Sequence, residues 1–163
     1  MVLGMSLATF TLTHVVISLI AIAAGLVVMV GMLGAKAMPG LTAIFLLFTI
    51  LTSATGFLFP FSALLPSHVI AIISLVLLAI ACVALYGRLS GAWRWIYVVT
   101  ALLSLYLNVF VLVTQGFLKI PALTELAPGN PPSGPAFAAV QGIVLVVFAV
   151  LIVSAWRRFK PAA

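Results

Sequence analysis

Five polar side chains that can form hydrogen bonds or exchange protons interrupt an otherwise apolar sequence: His14, His68, Asn108, Gln115 and Gln141. An imidazole can ligate a haem iron or another metal ion, hydrogen-bond a quinone, or titrate near neutral pH. Amides can bind polar groups of a ligand in both directions, as donor and as acceptor. Catalysis by a pair of carboxylates is excluded, because Glu125 is the only acidic residue in the chain.

Hydrophobic segments must position these side chains. Of the 163 residues, 66% are hydrophobic and 5% are charged, whereas about a quarter of a soluble domain is charged. A helix needs about 20 apolar residues to cross the hydrocarbon core of a membrane. The segments that meet this length are 9–33, 41–59, 67–86, 93–116 and 135–156. We therefore predict an all-α membrane protein, a bundle of five transmembrane helices that forms a single transmembrane domain over residues 1–163.

The basic residues predict the orientation of the bundle, because short cytoplasmic loops collect lysine and arginine. With the N-terminus outside and the C-terminus cytoplasmic, six of the seven basic residues lie on the cytoplasmic side: Lys36, Arg88, Arg94, Arg157, Arg158 and Lys160. Only Lys119 lies outside, in a proline-rich loop over 117–134 that also contains Glu125. In this orientation the two histidines and the three amides all lie in the outer half of the membrane.

Short matches within the chain raise the hypothesis of a duplication. His14-Val15-Val16 resembles His68-Val69-Ile70, and Gly56-Phe57-Leu58 resembles Gly116-Phe117-Leu118. A helical hairpin of the first two helices would then be repeated as the third and fourth, and the fifth helix would be appended. Such parallel repeats are related by an axis along the membrane normal, which would place His14 and His68 in equivalent positions.

Small and hydroxylated residues recur at steps of three and four, which places them on one face of each helix. The faces that we expect to pack are His14, Ser18, Ala21 and Gly25; Thr42, Thr49, Ser53 and Gly56; Tyr97, Ser104, Asn108 and Gln115; and Ala138 with Gly142. Aromatic residues are expected as anchors at the cytoplasmic interface: Tyr86, Trp93, Trp95, Tyr97 and Trp156. Because an unpaired amide or imidazole in hydrocarbon costs several kcal/mol, the five larger polar residues should form an outer binding cluster.

His14 and His68 carry the most specific cofactor hypothesis. A symmetric pair could ligate haem b or form part of a metal site, could hydrogen-bond a quinone, or could act as a pH-sensitive gate. A structural or water-facing role is favoured over these, because His68 stands at the start of a predicted helix. Two histidines and one acid also cannot supply four protein ligands to a metal ion without amides or water.

Three stretches carry a resemblance to known proteins: Phe57-Leu58-Phe59-Pro60-Phe61, Leu65-Pro66-Ser67-His68 and Leu105-Tyr106-Leu107-Asn108-Val109-Phe110-Val111-Leu112. They resemble an uncharacterised family of small bacterial multi-pass inner-membrane proteins, over nearly the whole chain. The resemblance implies a bacterial inner-membrane location and supports the number of spans. It implies no catalytic or binding residues, because the family has no assigned function.

No nucleophile elbow, P-loop, Rossmann glycine pattern or metalloprotease motif is present, which favours a non-enzymatic role. The first hypothesis is an accessory or structural subunit of a larger membrane assembly. The alternatives are a homo-oligomer that binds or transports a small molecule through an outer-facing polar pocket, and a redox protein that binds haem or quinone at His14 and His68. The expected partners are the lipid bilayer and other membrane subunits or a second copy. Nucleic acid is not expected, because the basic residues are dispersed over loop ends.

Overall fold

The computed structural model describes residues 1–60 and 66–160. Its helices are α1 Leu7–Leu33, α2 Pro39–Gly56, α3 Pro66–Tyr86, α4 Ala92–Lys119, α5 Pro121–Leu126 and α6 Pro135–Arg158. All of these except α5 are long enough and apolar enough to span a membrane. The predicted all-α bundle of five long apolar helices is therefore confirmed. The predicted link between the second and third helices falls mostly outside the described residues.

Prolines and one serine determine where the helices begin. Prolines stand at the first position of α2, α3, α5 and α6, where the missing N–H would have had no partner within the helix. The N-cap of α1 is Ser6, whose hydroxyl accepts a hydrogen bond from the backbone N–H of Thr9 at 3.1 Å. Apart from α5, which lies in a predicted loop, these helices start within two residues of the spans predicted from the sequence.

The loop predicted over 117–134 is more ordered than its composition indicates. It was expected to begin at Phe117, but α4 continues to Lys119, and Pro121 then starts the six-residue helix α5. The hydroxyl of Thr124 in α5 donates to the carbonyl of Phe117 at 2.8 Å, which holds α5 against the end of α4. The predicted loop is thus partly helical, because a proline that ends one helix can also begin the next.

The long helices form two closely packed pairs. The most extensive contacts join α1 to α2 and α3 to α4, and α4 also packs against α6 and α1. The helix α6 lies at the edge of the bundle, because its buried residues Gln141, Phe148 and Ala155 follow one narrow stripe at seven-residue steps. Most of its apolar surface therefore faces outwards, where lipid would cover it.

One half of the bundle has a solid core, where α1 ends and α4 begins. Ala21, Phe45, Leu78, Ala101 and Leu105 are all 0% exposed there. A Cβ atom built on Gly25 of α1 would lie 2.6 Å from Leu105 Cδ1 and 2.8 Å from Phe45 Cδ2. Glycine is therefore what lets α1 approach both α2 and α4 this closely.

Two expectations about packing need correction. Tyr97 was expected both on the packing face of its helix and as an interface anchor; it is 1% exposed and belongs to the core, so only the packing role is confirmed. Its aromatic ring lies 6.2 Å from that of Phe159, a residue from the end of the chain that covers this part of the core. Ala138 and Gly142 are exposed on the outer side of α6, and no side chain or backbone of another element lies within 4 Å of a Cβ built on Gly142.

Arg94 has a structural role that its charge alone did not indicate. Its Nη1 donates to the carbonyl of Phe159 at 2.6 Å and to that of Trp156 at 3.0 Å. These are carbonyls at the C-terminal end of α6, which have no partners within the helix and carry the negative end of its dipole. The guanidinium therefore fastens the end of α6 to the start of α4.

Candidate functional site

A cavity of about 610 Å³ lies among α1, α2, α3 and α4, at the opposite end of the bundle from the solid core. Four of the five polar residues singled out from the sequence line it: His14, His68, Asn108 and Gln115. The volume is in the range of about 300–1,000 Å³ that is typical of small-molecule sites in proteins. The walls between the polar residues are apolar, with Leu19, Ile22 and Val111 among them.

His14 is held in one orientation by α2. Its Nδ1 lies 2.8 Å from Thr55 Oγ1, and its ring meets that of Phe59 edge-on at a centroid distance of 5.2 Å. The Thr55 hydroxyl donates its own proton to the carbonyl of Leu51 at 2.6 Å, so it can only accept from the imidazole. Nδ1 therefore carries the proton in a neutral His14, and Nε2 is left as an acceptor.

His68 is buried in the first turn of α3. It is only 4% exposed, and its ring lies 5.4 Å from that of Phe57 at an interplanar angle of 31°. A structural or water-facing role was favoured for His68, because it stands at a predicted helix start. The ring contact and the low exposure instead make it part of the cavity wall, across from α1.

Asn108 and Gln115 place amides at two depths along α4. Asn108 Nδ2 lies 3.5 Å from Thr49 Oγ1, at the outer limit for a hydrogen bond. The Thr49 hydroxyl is already committed as a donor to the carbonyl of Phe45 at 2.7 Å. Asn108 is therefore held weakly, and its amide remains able to bind a ligand. Gln115 lies nearer the end of α4 and is exposed.

Two hydroxyls in the cavity wall have no hydrogen-bond partner in the described part of the protein. They are Ser74 Oγ on α3 and Thr52 Oγ1 on α2, both of which are buried atoms in residues that line the cavity. Ser74 is 2% exposed. A buried polar group without a partner costs about 1–3 kcal/mol. Both oxygens have almost no accessible surface, so they would meet a ligand or water in the cavity only after their side chains rotate.

Gln141 lies outside the cavity, although the sequence places it at a similar depth. Its Nε2 donates to the carbonyl of Phe110 at 3.0 Å and to the hydroxyl of Thr114 at 3.3 Å, so it joins α6 to α4. Gln141 belongs to the buried stripe of α6, the helix at the edge of the bundle, and therefore contributes to the packing of α6 against α4. Its position gives no support to a role in binding a ligand in the cavity.

The fixed charge at the cavity is positive. Among the described residues that line it, Lys119 is the only one with a full charge, and no carboxylate accompanies it. In residues 1–60 and 66–160, no group of three or more His, Cys, Asp and Glu side chains is placed to hold a metal ion. The chemistry that these residues offer is therefore hydrogen bonding from imidazole, amide and hydroxyl groups, together with one ammonium group.

Comparison of the chain with protein-family models, with curated proteins and with solved structures finds no match.

Proposed function

We propose that the protein binds a small amphipathic molecule within the membrane, in the cavity among α1, α2, α3 and α4. The observation that carries the proposal is the cavity itself, because its apolar wall also contains His14, Asn108 and Ser74 and its volume is large enough for a ligand. The buried Ser74 hydroxyl has no hydrogen-bond partner within residues 1–60 and 66–160. Rotation of this side chain towards the cavity would let a polar group of the ligand, or a water molecule carried with it, satisfy the hydroxyl.

The apolar walls and scattered polar groups of the cavity suit a ligand with an apolar body and few polar atoms. His14 Nε2 and the Asn108 amide can together accept and donate hydrogen bonds. We infer binding without chemical conversion, because Lys119 is the only fully charged group among the described residues of the wall and no carboxylate stands with it as a base.

Native mass spectrometry of gently extracted protein tests this proposal. We expect a retained small molecule in the wild-type protein and its loss in Ser74→Phe, because the larger side chain would occupy the cavity. The matched control is Ile73→Phe, one residue away on α3 and 47% exposed on the outer surface. It should retain the molecule at the wild-type level.

If Ser74→Phe does not fold, Ala71→Phe supplies a second block, since Ala71 also lines the cavity and is only partly buried. Equal retention in the blocked variants and in Ile73→Phe would contradict the proposal. Thermal unfolding of each variant in detergent separates loss of binding from loss of fold.

The other hypotheses give different results in the same experiment. A subunit of a larger assembly would appear with additional chains, and the exposed face of α6 is the surface such a partner would cover. A redox protein would retain a mass equal to that of haem or a quinone. For haem, the Thr55 hydroxyl on Nδ1 would fix the His14 ring and leave Nε2 for the iron.

We also propose that the N-terminus lies outside the bacterial inner membrane and that the α1–α2 hairpin is duplicated as α3–α4. The six-to-one distribution of basic residues supports the orientation, and it puts the cavity in the outer half of the membrane. The two closely packed pairs, with His14 and His68 lining one cavity, are what a parallel duplication would produce.

The orientation has a direct test in a Cys82→Ala background, which removes the single native thiol. A cysteine at exposed Glu125 should react with a membrane-impermeant thiol reagent added to intact cells. A cysteine at exposed Ser90 should react only after the cells are lysed. The reverse pattern would show that the cavity belongs to the cytoplasmic half.

A further inference from the structure

The one full charge among the described residues of the cavity wall stands at the end of α4. Lys119, the last residue of that helix, lines the cavity. Its ammonium group attracts negative charge, and the attraction is stronger near a low-dielectric interior than in water. Lys119 therefore favours an anion at this end.

No described carboxylate in the cavity wall opposes this charge. Glu125 is exposed in α5 and does not line the cavity. A cationic ligand would meet Lys119 without any compensating negative group, which disfavours it near the low-dielectric membrane interior. The wall thus selects against positive charge as well as favouring negative charge.

The shape of the cavity suits one extended chain. Its lining along α4 runs from Leu107 to Lys119, a rise of twelve residue steps, or about 18 Å at 1.5 Å per residue. On α1 it runs from Thr11 to Ile22, or about 16 Å by the same rise. Apolar side chains such as Leu112 and Leu19 lie between the charged end and the inner hydroxyls.

We propose that the ligand is a single-chain amphiphile with an anionic group, a carboxylate or a phosphate, held at Lys119. Its apolar chain lies between α1 and α4 and extends towards Asn108 and Ser74. The inference rests on the proposed ligand-binding function, because it names the class of molecule that the same cavity takes.

Isothermal titration calorimetry in a non-ionic detergent tests the charge preference with matched twelve-carbon probes. These are dodecanoate, dodecyl phosphate, dodecanol and dodecylammonium. We expect the anions to bind about fivefold more tightly than dodecanol, as for one lysine near a membrane surface, and dodecylammonium to bind most weakly. The preference should shrink as the salt concentration rises. The tighter of the two anions identifies the headgroup.

Lys119→Gln should remove the preference for the anions while leaving dodecanol binding unchanged. The matched control is Lys36→Gln, an identical change of charge in the turn between α1 and α2 at the other end of α1. It should leave the preference intact. Equal binding of dodecanoate and dodecanol by the wild-type protein, or an unchanged preference in Lys119→Gln, would overturn the inference.

Different results would contradict the preference for an anionic ligand and the proposed ligand-binding function itself. Binding of all four probes with equal affinity, blocked by Ser74→Phe, would overturn the anionic preference and leave the proposed function standing. Absence of binding by any probe, together with no retained molecule in the native protein, would overturn both.

Discussion

Replacement of Gly25 by leucine should lower the free energy of unfolding by about 3 kcal/mol, at the upper end of the range for overpacking a core. Even the first added atom, the Cβ, would lie 2.6 Å from Leu105 Cδ1 and 2.8 Å and 2.9 Å from ring atoms of Phe45. Both neighbours are 0% exposed, so neither has free space into which to move. The helices α1, α2 and α4 would have to separate. Unfolding in detergent with increasing denaturant measures the change.

Gly142→Leu is the matched control for this substitution. No atom of another described element lies within 4 Å of a Cβ built on Gly142, and the residue is exposed on the surface of α6 that faces away from the bundle. Leucine also has a higher helix propensity than glycine, so this variant should be as stable as the wild type or slightly more stable. Similar losses in both variants would show that α1 is not packed against Phe45 and Leu105 as described.

Arg94→Gln should destabilise the protein by about 1.5–3 kcal/mol, the range for hydrogen bonds that involve a charged group. The substitution removes the guanidinium that donates to the carbonyls of Trp156 and Phe159. Glutamine is shorter and uncharged, so it cannot replace both bonds or offset the negative end of the α6 dipole. The loss should be local, and hydrogen exchange should increase most at the C-terminal end of α6.

Arg88→Gln provides the comparison, because Arg88 is exposed in the turn between α3 and α4. It removes the same charge from the same end of the bundle. It should change the unfolding free energy by no more than about 0.5 kcal/mol, as for most surface substitutions. Equal effects of the two substitutions would mean that net charge, and not the Arg94 hydrogen bonds, determines the stability of α6.

Most of the fold could be predicted, because transmembrane helices are specified by local properties. Length and apolarity define the five spans, and prolines define several of their starts, all without reference to tertiary contacts. Tyr97 was expected both to pack and to anchor the interface, because an aromatic residue near a helix start is equally compatible with a core and with an interface. Contacts from distant parts of the chain decide for the core, among them the ring of Phe159, sixty-two residues further along.

The polar residues of the cavity could be predicted in part. His14, Asn108 and Gln115 stand on faces that helical spacing already marked as interior, and His68 follows from the proposed repeat. Gln141 was also expected in the polar cluster but lies outside the cavity. The sequence does not indicate that its helix lies at the edge of the bundle.

The roles of Ser74, Thr52 and Lys119 in the cavity wall could not be predicted from the sequence. Serine and threonine in a membrane helix usually donate to the carbonyl four residues earlier, as Ser104 does to Thr100 at 3.0 Å. Ser74 and Thr52 look the same in the sequence, and only the coordinates show that their hydroxyls have no partner within residues 1–60 and 66–160. Lys119 was interpreted solely as a charge in the outer loop, because the extension of α4 beyond Phe117 was not foreseen.

The unequal filling of the two halves has a mechanical consequence. The solid half, with Gly25, Phe45 and Leu105 in mutual contact, resists deformation, as a close-packed interior does. The two helix pairs can therefore separate mainly at the end that contains the cavity between them. Entry and release of a ligand would be a small separation of these helix ends, and the stiffness of the solid half would limit how far they can move apart.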